Sequence, residues 1–140
     1  MSIVKSINDA YALLNTKHYE KIYWAIDLHG VCLKSNYKRN TYELINDDVI
    51  ETLRLISSLP ESVIIIWSSC YDEEKQNILE NFFDNLGGIH VKYFNENPEV
   101  KNTETGCFNE KFFFSVLLDD KAGFDPATDW KIIYNHLNNI

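Results

Sequence analysis

Ile22 to Val31 reads IYWAIDLHGV, an apolar, strand-like run that stops abruptly on Asp27. Far downstream, Phe112 to Asp125 reads FFFSVLLDDKAGFD, and its apolar run stops on Asp119 and Asp120. A carboxylate at the carboxyl end of a buried strand is costly unless a metal ion, a reacting phosphate or a dense set of backbone donors offsets it. Two such ends, distant in sequence, can meet at one edge of a parallel sheet, where open α/β sheets place their ligands. The pairing points to an α/β fold with a Mg²⁺ and phosphate site at that edge.

Outward from these runs, strands and helices alternate. Residues 1–20 carry Ile3, Ile7, Ala10, Leu13 and Leu14 near helical spacing, which predicts an N-terminal helix with one buried face. Ile22 to Asp27 is a buried strand. Residues 28–46, polar and dotted with Asn36, Tyr37, Asn40 and Tyr42, are too long for a simple turn and are expected to form a flap or loop insertion. Asp47 and Asp48 open a helix with Val49, Ile50, Leu53 and Ile56 as its inner face, and Pro60 ends it. Ser62 to Trp67 is continuous and rich in β-branched residues, as a central parallel strand should be. Trp24 and Trp67 are both expected in the core. Asp72 to Leu86 is a helix stopped by Gly87 and Gly88. Ile89 to Phe94 and Phe112 to Leu118 are the third and fourth strands, separated by a polar loop. Asp129 to Leu137 is the closing helix. This order predicts a single domain over residues 1–140, a three-layer, Rossmann-like parallel sheet with helices on both faces.

Composition narrows the function classes. The chain has 140 residues, enough for one full core. No apolar run approaches the roughly 20 residues of a membrane span. The start, MSIVKSINDAYALL, lacks the basic-then-apolar pattern of a secretory signal. The cytoplasm is therefore the expected location, with no membrane partner. A net charge of −8 argues against sequence-independent binding to a polyanion. It leaves room for a local basic patch, and Lys34, Lys38 and Arg39 cluster after the first acid-bearing strand. Cys32, Cys70 and Cys107 are widely spaced without a CxxC, which fits a reducing compartment and small residues filling space.

The strand ends supply a coherent set of chemical groups. The first gives Asp27, Leu28, His29 and Gly30; the second gives Ser68 and Ser69; the fourth gives Asp119 and Asp120, with Lys111 just before it. Phosphoryl transfer through an aspartyl-phosphate needs such parts. A carboxylate attacks phosphorus, Mg²⁺ shields the repulsion between two anions, and a hydroxyl and an ammonium hold the phosphate oxygens. Each element is a weak signal alone, because Asp at a strand end is common. The ordered set is far more specific.

This pattern resembles the haloacid dehalogenase-like (HAD) superfamily over essentially the whole chain from Lys21 onward. The family's first motif, an apolar strand followed by DxD and Gly-Thr or Gly-Val, is matched by AIDLHGV, with Asp27 at the nucleophile and His29 where the second Asp is expected. IIIWSSC matches the second motif through Ser68, with Ser69 as the alternate. Lys111 matches the Lys that precedes the last core strand better than Lys101 does. VLLDDKAGFD matches the acidic fourth motif. The resemblance implies Mg²⁺ held by Asp27, the backbone carbonyl of His29, and Asp119 or Asp120.

The departure is His29. In family phosphatases the second Asp protonates the leaving group and then activates water, and His is a competent acid and base near neutral pH. His29 either does that work, or marks a site that binds without turnover, or lets an aspartyl-phosphate form and hydrolyse slowly. Neither interval between strands leaves room for a cap domain. By resemblance, capless members often act on macromolecules or complete their site with another subunit. Lys34, Asn36, Tyr37, Lys38 and Arg39 are then the candidates for substrate contact, suited to a nucleotide or nucleic-acid end. The expected function is a Mg²⁺-dependent phosphatase or phosphohydrolase. The alternative is a catalytically weak HAD-like binding or regulatory module. A receiver-like domain would need paired acids at the end of the first strand, and these are absent.

Overall fold

The computed structural model describes residues 2–16, 19–35, 42–69, 72–101 and 111–140. Its elements run α1 (Ile3–Asn15), β1 (Ile22–Asp27), α2 (Asp48–Ser58), β2 (Ser62–Trp67), α3 (Asp72–Asn77), a π-helical segment (Ile78–Phe83), α4 (Asp84–Leu86), β3 (Val91–Phe94), β4 (Val116–Leu118), a 3-10 turn (Asp120–Ala122) and α5 (Asp129–Asn138). The sheet order is β3-β2-β1-β4, and every pairing is parallel. The central strand β1 is buried on both faces up to its last residue, as the continuous apolar run IYWAI requires.

Two apolar clusters lie on the two faces of the sheet. The larger joins Ile22, Trp24 and Ile26 of β1 to Ile7 and Ala10 of α1, Val49, Leu53 and Ile56 of α2, Ile78 and Phe83 of the π segment, and Trp130, Ile133 and Leu137 of α5. The smaller joins Tyr23 and Ala25 to Val63, Ile65 and Phe112, with Tyr93, Val100, Phe113, Phe114 and Leu117 packed against it. The buried side chains of the helices thus gather on one face. Helices were expected on both, and the topology explains the difference. Right-handed crossovers running from β1 to β2 to β3 place both connections on one side. Only the return from β3 to β4 crosses the other side. Its described residues, 95–101 and 111–115, form no helix.

Local details follow from single residues. Ser2 caps α1, its side chain accepting from the Val4 N–H at 3.2 Å. On α2 the buried face is Val49, Thr52, Leu53 and Ile56, with Thr52 taking a place expected for Ile50. Burying that hydroxyl is tolerated because it donates to the Trp130 carbonyl at 3.0 Å. The Trp130 indole N–H in turn donates to the Val31 carbonyl at 2.8 Å, tying α5 to the loop after β1.

The expected fourth strand is shorter than its apolar run. Phe112 to Phe114 leave the ladder and fold over the second face, where Phe113 stacks on Tyr19 with ring centroids 4.3 Å apart. The third strand begins at Val91 rather than Ile89. The helix expected over 72–86 is interrupted by the π segment. Positions five apart on an α-helix point about 140° apart. The wider i→i+5 turn lets Ile78 and Phe83 share the core side, and both are buried. Among the described residues, no helix is long and apolar enough to cross a membrane.

Candidate functional site

β1 and β4 are neighbours in the sheet, with Ala25 opposite Leu117 and Ile26 opposite Leu118. One step beyond these pairs the chain places Asp27 on β1 and Asp119 after β4. Asp120 opens the 3-10 turn that follows. One carboxylate oxygen from each of Asp27, Asp119 and Asp120 lies within 4.8 Å of the others. The acids 27, 119 and 120 chosen from sequence are therefore brought together, at the carboxyl edge of the sheet.

Two of the acids accept from nearby backbone, and the third packs against a glycine. Asp27 accepts from the Leu28 N–H at 2.9 Å. Asp119 caps the 3-10 turn by accepting from the Lys121 N–H at 2.9 Å. Asp120 lies against Gly30, where a Cβ would come within 2.7 Å of Asp120 Oδ2. Gly30 also has a φ of 86°, so both the turn and the close approach call for glycine.

The electrostatics are unfavourable without a cation. Burial pushes the Asp27 carboxyl up to about 7, helped by repulsion from Asp119 and a hydrogen bond shared with Asp120; the Leu28 N–H opposes the rise. Three convergent carboxylates are hard oxygen donors, the set a divalent cation such as Mg²⁺ takes. A cation among them would relieve the repulsion that raises Asp27, so the residues fit the group the sequence implied.

His29 follows Asp27 by two residues and is partly exposed. Its Nε2 lies 3.8 Å from Glu74 Oε1 on α3, an ion pair only when the imidazole is protonated. Its Nδ1 is buried with no hydrogen-bond partner among the described residues. Ser68 follows β2 with its backbone clamped by one side chain. Its N–H donates to Asn95 Oδ1 at 2.7 Å, and its carbonyl accepts from Asn95 Nδ2 at 2.5 Å. Asn95 sits just past β3 with a φ of 58°, a conformation Asn tolerates better than most residues. Ser69 is exposed beside Ser68.

Lys111 is exposed, its Nζ 5.7 Å from the Phe114 ring centroid, and it lines a cavity with Trp67, Phe112 and Phe114. Lys34 is ion-paired to Glu43 at 2.9 Å across the base of the 28–46 loop. That base is fixed by the Lys34 N–H donating to the Glu43 carbonyl and the Ile45 N–H donating to the Cys32 carbonyl. Asn36, Tyr37, Lys38 and Arg39 lie outside the described residues, as do His18, Cys70 and Cys107. Cys32 is wholly buried, and burial pushes its thiol up, in keeping with a space-filling role. Trp67 departs from its expected core place. It is 45% exposed, because it ends β2 at the open edge.

Sequence reasoning passed over Glu74 and Asn95, and named Gly30 without giving it a role. Gly30 had a visible signal, a glycine following an acid-bearing strand. Glu74 and Asn95 had none, since a polar residue in a helix or after a strand has no visible target until the chain is folded.

Fold and site together define an α/β domain with an acidic centre at the carboxyl edge of a four-stranded parallel sheet. No protein-family model matches the chain, and neither a curated protein nor a solved structure matches it significantly.

Proposed function

We propose that this chain is a small, capless HAD-like phosphohydrolase that acts on a phosphate monoester with Mg²⁺, a nucleotide or nucleic-acid end being the substrate class its size and flap suit. The observation that carries the reading is the convergence of Asp27, Asp119 and Asp120, with Asp27 pushed up to about 7. A strongly perturbed acid in a cluster at a ligand-binding sheet edge marks function more often than architecture.

In this mechanism Asp27 attacks phosphorus, the ester P–O bond breaks, and His29 gives a proton to the departing oxygen. Water then attacks the aspartyl-phosphate with His29 taking its proton, which releases inorganic phosphate and restores Asp27. Ser68, with Ser69 beside it, and Lys111 hold the phosphate oxygens. Asn95 positions Ser68 by fixing both of its backbone polar groups. Asp27, Asp119 or Asp120, and the His29 carbonyl would hold the cation. When bound, Mg²⁺ supplies charge neutralisation between carboxylate and phosphate.

The test is Mg²⁺-dependent phosphate release from nucleotides, sugar phosphates, aryl phosphates and 5′- and 3′-phosphorylated oligonucleotides, with Asp27→Asn alongside. Release that disappears in Asp27→Asn supports the reading; release that survives it removes Asp27 as nucleophile.

A second reading, a catalytically weak binding or regulatory module, is favoured by one observation. His29 replaces the expected acid, and among the described residues its Nδ1 has no partner to orient the ring. His29→Asp separates the two. Turnover rises if the native site is impaired and falls if His29 is the working acid.

A further inference from the structure

The same two strands that carry the acids also floor a cavity. Ala25 of β1 and Leu117 of β4 are register partners, and both line a pocket of about 320 Å³. Asp27 ends β1 and Asp119, still extended, directly follows β4; each lies two residues beyond its floor residue, on the same face by the two-residue period and about 6.6 Å further along. Trp67, the register partner of Asp27, forms one wall. Phe112 and Phe114 form the rest, with Trp67 and Phe112 ring centroids 5.5 Å apart and tilted by 58°. Lys111 lines the same pocket, the one cation among the described residues that does.

Three features select the occupant. The walls are aromatic, so they favour a flat π surface over a flexible or polar chain. Ala25 is the smallest side chain in β1 and wholly buried, which leaves depth where a larger residue would fill the floor. An ammonium stands at the wall of a cavity floored by the two strands that lead to the acids, which suits a group that is aromatic at one end and anionic at the other. The volume lies at the small end of the range for ligand sites, about 300–1,000 Å³.

We propose that this cavity receives the planar aromatic part of a phosphate monoester whose phosphate lies at Asp27. This rests on the phosphohydrolase reading and adds its substrate class: an aryl or nucleoside phosphate, with the ring against Trp67 and Lys111 spanning ring and phosphate. The specificity residue is Trp67, whose exposure is otherwise an unrewarded loss of apolar burial.

The experiment compares nucleoside monophosphates, phenyl phosphate and glycerol phosphate, each with Mg²⁺, on the native protein, Trp67→Ala and Trp67→Phe. Phosphate release and tryptophan fluorescence are read in parallel. Trp24 and Trp130 are fully buried, so quenching by a ligand reports Trp67. The expected result is a KM lower by about tenfold to a hundredfold for the aromatic esters than for glycerol phosphate, from base–aromatic stacking. Trp67→Ala raises the KM of the aromatic esters to that of glycerol phosphate and so abolishes the preference, while Trp67→Phe keeps most of it. A nucleotide favoured over phenyl phosphate assigns a nucleobase; equal KM values assign any aryl group. Equal use of all three esters, or a preference that survives Trp67→Ala, overturns the pocket and leaves the phosphohydrolase standing. Quenching by nucleoside monophosphates with no release from any ester supports the pocket and overturns the hydrolase. Neither quenching nor release overturns both.

Discussion

Two carboxylates near opposite ends of the sheet are treated in opposite ways. Near the amino end, Glu99 accepts from Lys21 at 2.8 Å, Lys92 at 2.7 Å and Tyr93 at 2.7 Å. Burial alone would raise its pKa, but those three donors outweigh burial and hold the carboxyl at about 2. At the carboxyl end, Asp27 is pushed by burial and by its acidic neighbours up to about 7. One carboxylate is satisfied by the protein's own donors, and the other is left among like charges. In the proposed function that difference separates a stabilising carboxylate from a functional one without appeal to residue type.

The largest break in that contrast is Asp27→Asn. It should abolish phosphate release, by about a thousandfold or more, while raising the melting temperature of the metal-free protein. A variant less stable and still active would place Asp27 in the same class as Glu99. Glu99→Gln is the mirror experiment. It leaves Lys21 and Lys92 without their acid and should cost about 1–3 kcal/mol by urea denaturation, with phosphate release unchanged.

Acidity sharpens the comparison. The Glu99 pKa is lowered on folding, so its stabilisation is complete above the unfolded value of 4.5 and fades as pH falls towards about 2. The Asp27 pKa is raised, so its contribution is complete below the unfolded value of 3.8 and is lost as pH rises through about 7. The stability of the metal-free protein, read by urea denaturation, should therefore fall as pH rises from the unfolded value of 3.8 through about 7, by an amount on the order of 1–2 kcal/mol after allowing for solvent screening. Mg²⁺ should restore the loss, and Asp27→Asn should flatten the slope. Gly30→Ala comes next, costing about 1 kcal/mol for the positive φ and weakening Mg²⁺ binding by displacing Asp120, as calorimetry would show. Least affected is Lys34→Ala. The Lys34–Glu43 pair is exposed on both sides, and its loss should fall within about 0.5 kcal/mol.

The acidic site was legible because two apolar runs ended in Asp, and strand periodicity fixes which residues emerge at an edge. β1 and β2 carry the boundaries expected for them for the same reason: a continuous β-branched run has few other uses. Phe112 to Phe114 show the limit. An apolar run cannot tell a strand from a cover, and these three aromatics are buried or half-buried over the sheet without joining it. Trp67 shows another limit, since the last residue of a buried run can face out at an open edge. The one-sided helices were hidden because the β3-to-β4 connection carries no helix among its described residues, and strand alternation alone does not reveal that.

The π segment carries a consequence for Glu74. Its wider turn takes up one residue more than α-helical winding would, so Ile78 and Phe83 both face the core. Deleting one residue within it would leave them four apart, about 40° from each other on an ordinary α-helix, so α3 would keep its bearing and Glu74 its place beside His29. The segment is a place where the chain can lose a codon without disturbing the company His29 keeps, whereas the same loss between Glu74 and Ile78 would swing Glu74 by about 100°.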